Sequence, residues 1–229
     1  MNESPPIRNP SSTRGLVGWA LYDWANSPFT TLILTFVFSA YFAQGIVGDE
    51  IRGTQLWGLA VSISALIIAV MAPVLGAIAD AGGPRKPWLF AFTGVCVVAS
   101  AMLWGAGPEQ QFIAWALVWF VVANIGFEFG IVFNNAMLPD LVHPSRIGRW
   151  SGWAWGLGYA GGLTAIVVAL VAFVQTDQPL FGLDKSAAEH VRIVGPLTAV
   201  WLAVFAIPMF LWTPDRPGIG VALGRQVRD

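Results

Sequence analysis

The sequence predicts an all-α membrane protein with six transmembrane helices. Apolar residues make up 56% of its 229 residues. Charged residues make up 11%, whereas an average soluble domain contains roughly 25%. Six mostly apolar runs approach or exceed the roughly 20 residues that a helix needs to cross about 30 Å of hydrocarbon. The alternation of apolar and polar residues that marks a membrane β-strand does not extend over useful lengths, so helices are the predicted spanning elements.

The predicted spans lie near residues 17–43, 54–79, 87–106, 111–138, 150–174 and 193–212. They leave polar tails at residues 1–16 and 213–229. An even number of spans places both tails on the same side of the membrane.

The distribution of lysine and arginine predicts which side that is. Nine basic residues fall on the side of the two tails, and three fall on the opposite side: Arg8, Arg14, Arg85, Lys86, Arg146, Arg149, Arg216, Arg225 and Arg228, against Arg52, Lys185 and Arg192. Because cytoplasmic loops carry an excess of Lys and Arg, both termini are predicted to be cytoplasmic. The expected location is the bacterial inner membrane.

Tryptophans cluster near the ends of the predicted spans, as in the aromatic belts of membrane proteins. They are Trp19, Trp24, Trp57, Trp88, Trp104, Trp115, Trp150 and Trp212. None is assigned a ligand role. The longest predicted outer loop, residues 175–192, is expected to form a surface turn or a short amphipathic helix.

Composition and motifs argue against several other function classes. The net charge of −1 and the absence of a basic block give no support for nucleic-acid binding. A single cysteine, Cys96, cannot form an internal disulfide. His143 and His190 are predicted on opposite sides of the membrane, so neither a metal site nor a cofactor is expected. No paired histidines and acids, nucleophile motif or phosphate-binding loop indicates an enzyme.

Polar residues recur on one predicted face of span four. Asn124, Glu128 and Asn135 are separated by four and seven residues, which places them on the same side of a helix. Glu128 lies well inside the hydrocarbon, where a charged side chain costs about 2.5–3.5 kcal/mol on insertion scales. Two roles remain open for Glu128: a neutral, hydrogen-bonded packing residue, or a group that binds substrate or carries a coupling proton.

Span one carries a matching stripe of polar residues: Asp23, Asn26, Ser27, Thr30 and Thr31. The stripe is too polar to face lipid, so it is expected to line a cavity or to contact another helix. Asp23 could instead favour the helix dipole, and Asn26 and Ser27 could prepare a kink at Pro28. Substrate or proton binding by Asp23, Asn26 and Thr30 is the functional alternative.

Span five contains five glycines, Gly152, Gly156, Gly158, Gly161 and Gly162. Small residues at spacings of four allow helices to approach closely in a membrane. The predicted role of these glycines is helix packing.

The loop between spans two and three contains Gly76, Asp80, Gly83, Arg85 and Lys86 in that order. This order resembles the loop signature of the major facilitator superfamily, from which Ala81 and Pro84 depart. The resemblance implies a conformational latch, in which the aspartate and the basic residues bond neighbouring helix ends in one access state.

Three further segments narrow the resemblance: YDWANSPF (22–29), NIGFEFGIVFNNAMLPDL (124–141) and RIGRWSGWAWGLGYAGG (146–162). Together they resemble the N-terminal half of the unknown-major-facilitator group, which includes the autophagy-related vacuolar amino-acid effluxers. The resemblance implies one half of a major-facilitator fold and a secondary transporter for amino acids or similar small solutes.

Six helices alone would leave the polar stripes of spans one and four facing the lipid bilayer, so a partner is expected to cover them. Three alternatives remain: a homodimer that rebuilds a transporter, a heterodimer with a second half-transporter, or a membrane assembly subunit that transports nothing. The expected small-molecule substrate belongs to the first two.

Overall fold

The computed structural model describes residues 12–80 and 83–215, and the side chains at positions 79 and 80 lie outside that description. The described part contains six helices long and apolar enough to cross a membrane, and no strand. This confirms the predicted fold class. Arg8, Arg216, Arg225 and Arg228, four of the basic residues behind the topology prediction, lie outside the described residues, and the orientation of the termini stays a prediction.

We number the helices α1 to α6 in chain order. They are α1 (Thr13–Val47), α2 (Glu50–Asp80), α3 (Lys86–Gly105), α4 (Gln110–Leu141), α5 (Pro144–Val174) and α6 (Glu189–Trp212). Helix α1 extends beyond both of its predicted ends, α2, α5 and α6 begin before their predicted starts, and α4 continues past its predicted end to Leu141. The outer loop between α5 and α6, predicted at residues 175–192, is shorter than predicted because α6 begins at Glu189.

The bundle is arranged around two extensive helix pairs, α1 with α5 and α3 with α4. Helix α6 packs against both α1 and α3 and so joins the pairs, while α2 packs against α4. The centre is filled by buried aromatic side chains. Phe29 of α1 packs against Phe127 of α4, with ring centroids 4.9 Å apart, which brings α1 and α4 together in the middle of the bundle.

Helix α1 is irregular beyond Pro28. Its turns widen to π-helical geometry over Phe29–Phe36 and again over Phe42–Val47. Proline has no backbone N–H, so Pro28 cannot donate to the carbonyl of Trp24, four residues earlier. Wide turns of this kind are frequent at functional sites.

Two tryptophans assigned to the interfacial belts lie in the protein interior instead. Trp19 is 1% exposed, and its indole donates to the backbone carbonyl of Asn134, 2.8 Å away. The indole of Trp57 donates to the carbonyl of Leu34 at 3.1 Å. Both indoles therefore join helices rather than anchor the bundle at a lipid headgroup.

Candidate functional site

The polar stripe of α1 lines an open groove of about 470 Å³ between α1, α4 and α5. All five stripe residues border it: Asp23, Asn26, Ser27, Thr30 and Thr31. The other lining residues are Phe36 of α1, Phe127, Ile131 and Asn135 of α4, and Trp155, Gly158, Tyr159, Gly162 and Leu163 of α5. The groove thus combines a polar wall on α1 with a largely apolar wall on α4 and α5.

Two glycines allow α5 to lie directly against the polar stripe. A Cβ at Gly158 would lie 2.9 Å from the hydroxyl of Ser27, and a Cβ at Gly162 would lie 2.9 Å from the methyl group of Thr31. The hydroxyl of Thr31 also lies 3.4 Å from the carbonyl of Gly162. The backbone of α5 therefore forms part of the groove surface.

Of the other glycines predicted to pack against a helix, one does so among the described residues and two do not. Gly161 is buried against α1, where a Cβ would come within 2.6 Å of the carbonyl oxygen of Trp24. Gly152 and Gly156 are exposed, and no described atom lies within 4 Å of the position that their Cβ would take. The close contact of α5 with α1 is thus built on residues 158–162.

The groove wall carries a carboxylate acceptor, and an unpaired amide donor is buried just beneath it. Asn26 is 6% exposed, and its Nδ2 has no hydrogen-bond partner among the described residues. The side chain of Asp23 is half-buried and, within the described part of the chain, accepts no hydrogen bond. Its backbone carbonyl accepts one from the hydroxyl of Ser27 at 2.7 Å. A carboxylate and an unpaired amide thus lie about one helical turn apart on the wall of the groove.

A contact from α6 fixes α1 at the proline that interrupts it. The indole Nε1 of Trp201 donates to the carbonyl oxygen of Trp24 over 3.3 Å. The two indole rings also stack, with centroids 5.8 Å apart. Trp201 therefore satisfies the carbonyl that Pro28 leaves without a helical donor, directly behind the polar stripe.

The structure divides the predicted stripe on α4. Asn135 is exposed and lines the groove. Asn124 points to α2, where its Nδ2 donates to the hydroxyl of Ser64 over 2.8 Å. Glu128 is half-buried and does not border the groove. The three residues therefore do not form one site, although they share one side of the helix.

The predicted latch residues lie at the end of the bundle where α3 begins and α4 and α6 end. Nη1 of Arg85 lies 2.5 Å from Oδ2 of Asp140. The carboxylate of Asp215 accepts hydrogen bonds from the backbone N–H groups of Arg85 and Lys86, both at 2.9 Å. Nζ of Lys86 donates to the carbonyl of Phe210. These contacts connect α3 to both α4 and α6.

The remaining latch residues make fewer contacts. No described atom lies within 4 Å of a Cβ built at Gly76 or Gly83, so neither glycine marks a close helix approach among the described residues. The side chain of Asp80 lies outside the described residues.

Comparison with known proteins identifies the family. The family model described as "Vacuole effluxer Atg22 like" matches residues 44–227. The chain belongs to this Atg22-like family. It is 30% identical over 201 residues to the uncharacterized MFS-type transporter YxiO of Bacillus subtilis, covering 86% of this chain and 46% of YxiO.

Fungal relatives extend the similarity. Autophagy-related protein 22-1 of Neosartorya fischeri is 22% identical over 287 residues, covering 94% of this chain and 44% of the relative. Autophagy-related protein 22-1 of Aspergillus fumigatus is 23% identical over 243 residues, covering 76% and 38%. The chain thus spans less than half the length of these curated relatives. The resemblance to the major facilitator superfamily and its Atg22 group is confirmed.

Sequence reasoning missed several groove and support residues of this Atg22-like chain. Trp155 and Tyr159 form an exposed aromatic rim, 64% and 68% exposed, and their separation by four residues was the available signal. Trp201 was missed too. Its signal was Pro28, because a proline within a helix leaves a carbonyl that another group must satisfy.

Proposed function

We propose that this chain forms one half of a membrane transporter for amino acids or related small solutes. The groove between α1, α4 and α5 is its part of the solute pathway. The observation that carries this proposal is the polar stripe of α1, which opens into a groove within an otherwise apolar span. Membership in the Atg22-like family, whose relative YxiO is named an MFS-type transporter, supports it.

The chemistry of the groove favours a zwitterionic solute. The carboxylate of Asp23 is an acceptor for an ammonium group, and the unpaired Nδ2 of Asn26, buried just beneath the groove wall, becomes a donor for a carboxylate when its side chain turns into the groove. Thr30 adds a hydroxyl beyond them. The volume of about 470 Å³ lies within the roughly 300–1,000 Å³ of ligand pockets, which leaves space for a small amino acid and its waters.

A second six-helix bundle closes the groove in this proposal. The rim residues Phe36, Trp155 and Tyr159 are all more than half exposed, and the polar stripe behind them is costly to expose to lipid. Two copies of the chain related by a two-fold axis would cover both stripes at once. A separate half-transporter is the alternative occupant.

Transport then proceeds by alternating access. The two bundles rock about the shared groove, as in transporters built from two related halves. The contacts of Arg85 with Asp140 and of Asp215 with the start of α3 act as the latch of one access state. We place this assembly in the bacterial inner membrane, with both termini in the cytoplasm and the latch at the inner surface.

Reconstitution tests the proposal directly. The purified chain in liposomes is expected to exchange radiolabelled amino acids from a mixture of the standard twenty. Thr30→Val, which removes one groove hydroxyl, should lower the exchange rate severalfold. Thr164→Val is the matched control, because Thr164 is an exposed residue of α5 that does not border the groove and donates only to the carbonyl of Ala160.

Two outcomes would count against the proposal. Absence of exchange for all twenty amino acids, in liposomes where the folded chain is present as a dimer, would contradict the homodimeric transporter. Equal exchange rates for the Thr30→Val and Thr164→Val proteins would contradict the assignment of the pathway to this groove.

A further inference from the structure

The contact between α2 and α4 contains an unusual polar pair. Ser64 is completely buried, and its hydroxyl donates to the carbonyl of Val61 over 2.8 Å. Because the hydroxyl proton of Ser64 is donated to Val61, the hydroxyl oxygen can only accept a hydrogen bond, and it accepts one from Nδ2 of Asn124. This fixes the Asn124 amide with Nδ2 toward Ser64 and Oδ1 on the other side.

The Asn124 carbonyl oxygen has no donor. Asn124 is 5% exposed, and its Oδ1 is buried without a hydrogen-bond partner among the described residues. A buried polar atom left unpaired is destabilising, because the water it has lost is not replaced by a partner. The arrangement therefore lacks one hydrogen-bond donor.

Glu128 is placed to supply that donor. It lies four residues after Asn124 on α4, a spacing that puts the two Cβ atoms about 5–6 Å apart. Helical side chains favour rotamers that lean toward the N-terminus, and such a rotamer of Glu128 brings its carboxyl toward Asn124. Its carboxylate likewise has no hydrogen-bond partner in the part of the chain that the structure describes. One proton bound to the Glu128 carboxylate would provide the hydrogen bond that Oδ1 of Asn124 lacks.

We propose that Asn124 and Glu128 form a proton-binding site, supported by Ser64 and separate from the solute groove, in which protonated Glu128 donates its O–H to Oδ1 of Asn124. Proton binding converts the carboxylate into a neutral acid, and no other group changes. The coupling of this proton to transport rests on the proposed function. The proton site itself does not.

Helices α2 and α4 bring no further charge to this contact. Helix α2 carries no charged residue between Arg52 and Asp80, which lie near its two ends. Apart from Glu128, α4 carries none between Glu109, just before its start, and Asp140, near its end. The proton site therefore lies in an uncharged section of both helices.

Two other titratable groups pack against α4, but on a different side. The backbone of Cys96 on α3 lies against Gly126, and the hydroxyl of Tyr22 on α1 lies against Gly130. Each glycine is two residues from Glu128, which is about 200° around the helix. Neither group faces the Glu128 carboxyl.

Among the described residues, the groove brings one further acid near the middle of α4. Asp23 borders the groove on the opposite wall from Phe127, the residue preceding Glu128. After Lys86 at its first turn, α3 contributes no charged residue up to Gly105. Asp23 is thus the neighbouring carboxylate whose titration has to be separated from that of Glu128.

Infrared spectroscopy of the full chain in lipid bilayers tests the site without any transport assay. Acidification is expected to produce a C=O stretch of a protonated carboxyl that is lost in Glu128→Gln and kept in Asp23→Asn. The same band should change position in Asn124→Leu, because the acid then loses its acceptor. Glu109→Gln, which removes an exposed carboxylate, is the matched control and should leave the band unchanged.

A second variant covers the case in which Asn124→Leu does not fold. Ser64→Ala removes only the acceptor that orients the Asn124 amide, and it should also shift the Glu128 band. Three results would overturn the proposal: no band lost in Glu128→Gln, a band that neither Asn124→Leu nor Ser64→Ala moves, or a band that disappears when sodium chloride replaces potassium chloride. The last result would show that the site binds sodium in place of the proton.

These spectra also separate the two proposals. A Glu128 band that behaves as described, in a protein that exchanges no amino acid, would retain the proton site and reject the proposed transport function.

Discussion

The indole nitrogen of Trp201 lies 3.3 Å from the carbonyl oxygen of Trp24, the carbonyl that Pro28 leaves without a helical N–H donor. The contact crosses from α6 to α1 and lies behind the polar stripe. It allows α1 to change from regular to wide turns inside the membrane without an unpaired carbonyl. Trp201 therefore holds the groove wall in place, although α6 contributes no lining residue.

Loss of this hydrogen bond should destabilise the bundle. Trp201→Phe keeps an aromatic ring against Trp24 but removes the N–H, and we expect a loss of about 1–2 kcal/mol in the free energy of unfolding. Unfolding in SDS titrations of micelle-bound protein measures it. Trp153→Phe, at an exposed position of α5, should change stability by less than about 0.5 kcal/mol.

A double-mutant cycle isolates the role of the proline. Pro28→Ala restores the backbone N–H that can donate to the Trp24 carbonyl, so Trp201→Phe should cost less in that background. Equal costs with and without Pro28 would show that Trp201 stabilises α6 by packing alone.

The glycines of α5 should respond differently to the same substitution. Gly161→Ala places a methyl group within 2.6 Å of the Trp24 carbonyl oxygen, and overpacking against backbone costs about 1–3 kcal/mol. Gly156→Ala meets no described atom within 4 Å, so it should be neutral or up to about 1 kcal/mol more stable, as helix propensity predicts. Similar effects at both positions, measured by SDS unfolding, would contradict the close contact at residue 161.

The carboxylate of Asp215 caps the start of α3. It accepts from the N–H groups of Arg85 and Lys86, so Asp215→Ala should destabilise the protein by about 0.5–2 kcal/mol. Asp177→Ala in the exposed loop between α5 and α6 is the control. If Asp215 also belongs to the latch, its substitution should increase amide hydrogen exchange at residues 86–89 more than elsewhere, whereas uniform exchange would indicate a general loss of stability.

The proposed homodimer predicts contact between the two groove rims. Tyr159→Cys in a Cys96→Ala background should cross-link to a second copy in native membranes, because Tyr159 is 68% exposed beside the groove. Val98→Cys, exposed on α3 away from the groove, should not. Cross-linking at Val98 without cross-linking at Tyr159 would move the dimer interface to another face.

Hydropathy and helical spacing predicted much of this fold because both depend on local sequence. The six spans follow from the length and composition of the apolar runs. Spacings of three and four residues placed the polar stripe of α1 on one helix face, and that face lines the groove. The spacing on α4 could not show that Asn124 meets α2 while Asn135 meets the groove. Helical spacing gives the direction in which a side chain leaves its own helix, but only the packing of the bundle determines which neighbouring helix lies in that direction.

Residues distant in sequence account for the rest. Trp19 and Trp57 fall near predicted span ends, where tryptophan is common for its affinity for the membrane interface. Their burial depends on carbonyls of other helices, 115 and 23 residues away along the chain. Gly15 and Gly18 of α1 likewise pack against the end of α6, which is distant from them in the sequence.

Water access to the groove is the most direct test that it forms a solute pathway. Thr30→Cys and Thr164→Cys, each in the Cys96→Ala background, are labelled in native membranes with a hydrophilic maleimide that reaches only residues in contact with water. We predict rapid labelling of Cys at position 30, on the groove wall, and little labelling at position 164, which is exposed on α5 outside the groove and which we expect to face lipid. Absent labelling at position 30, or equal labelling at both positions, would show that the groove is not an aqueous pathway.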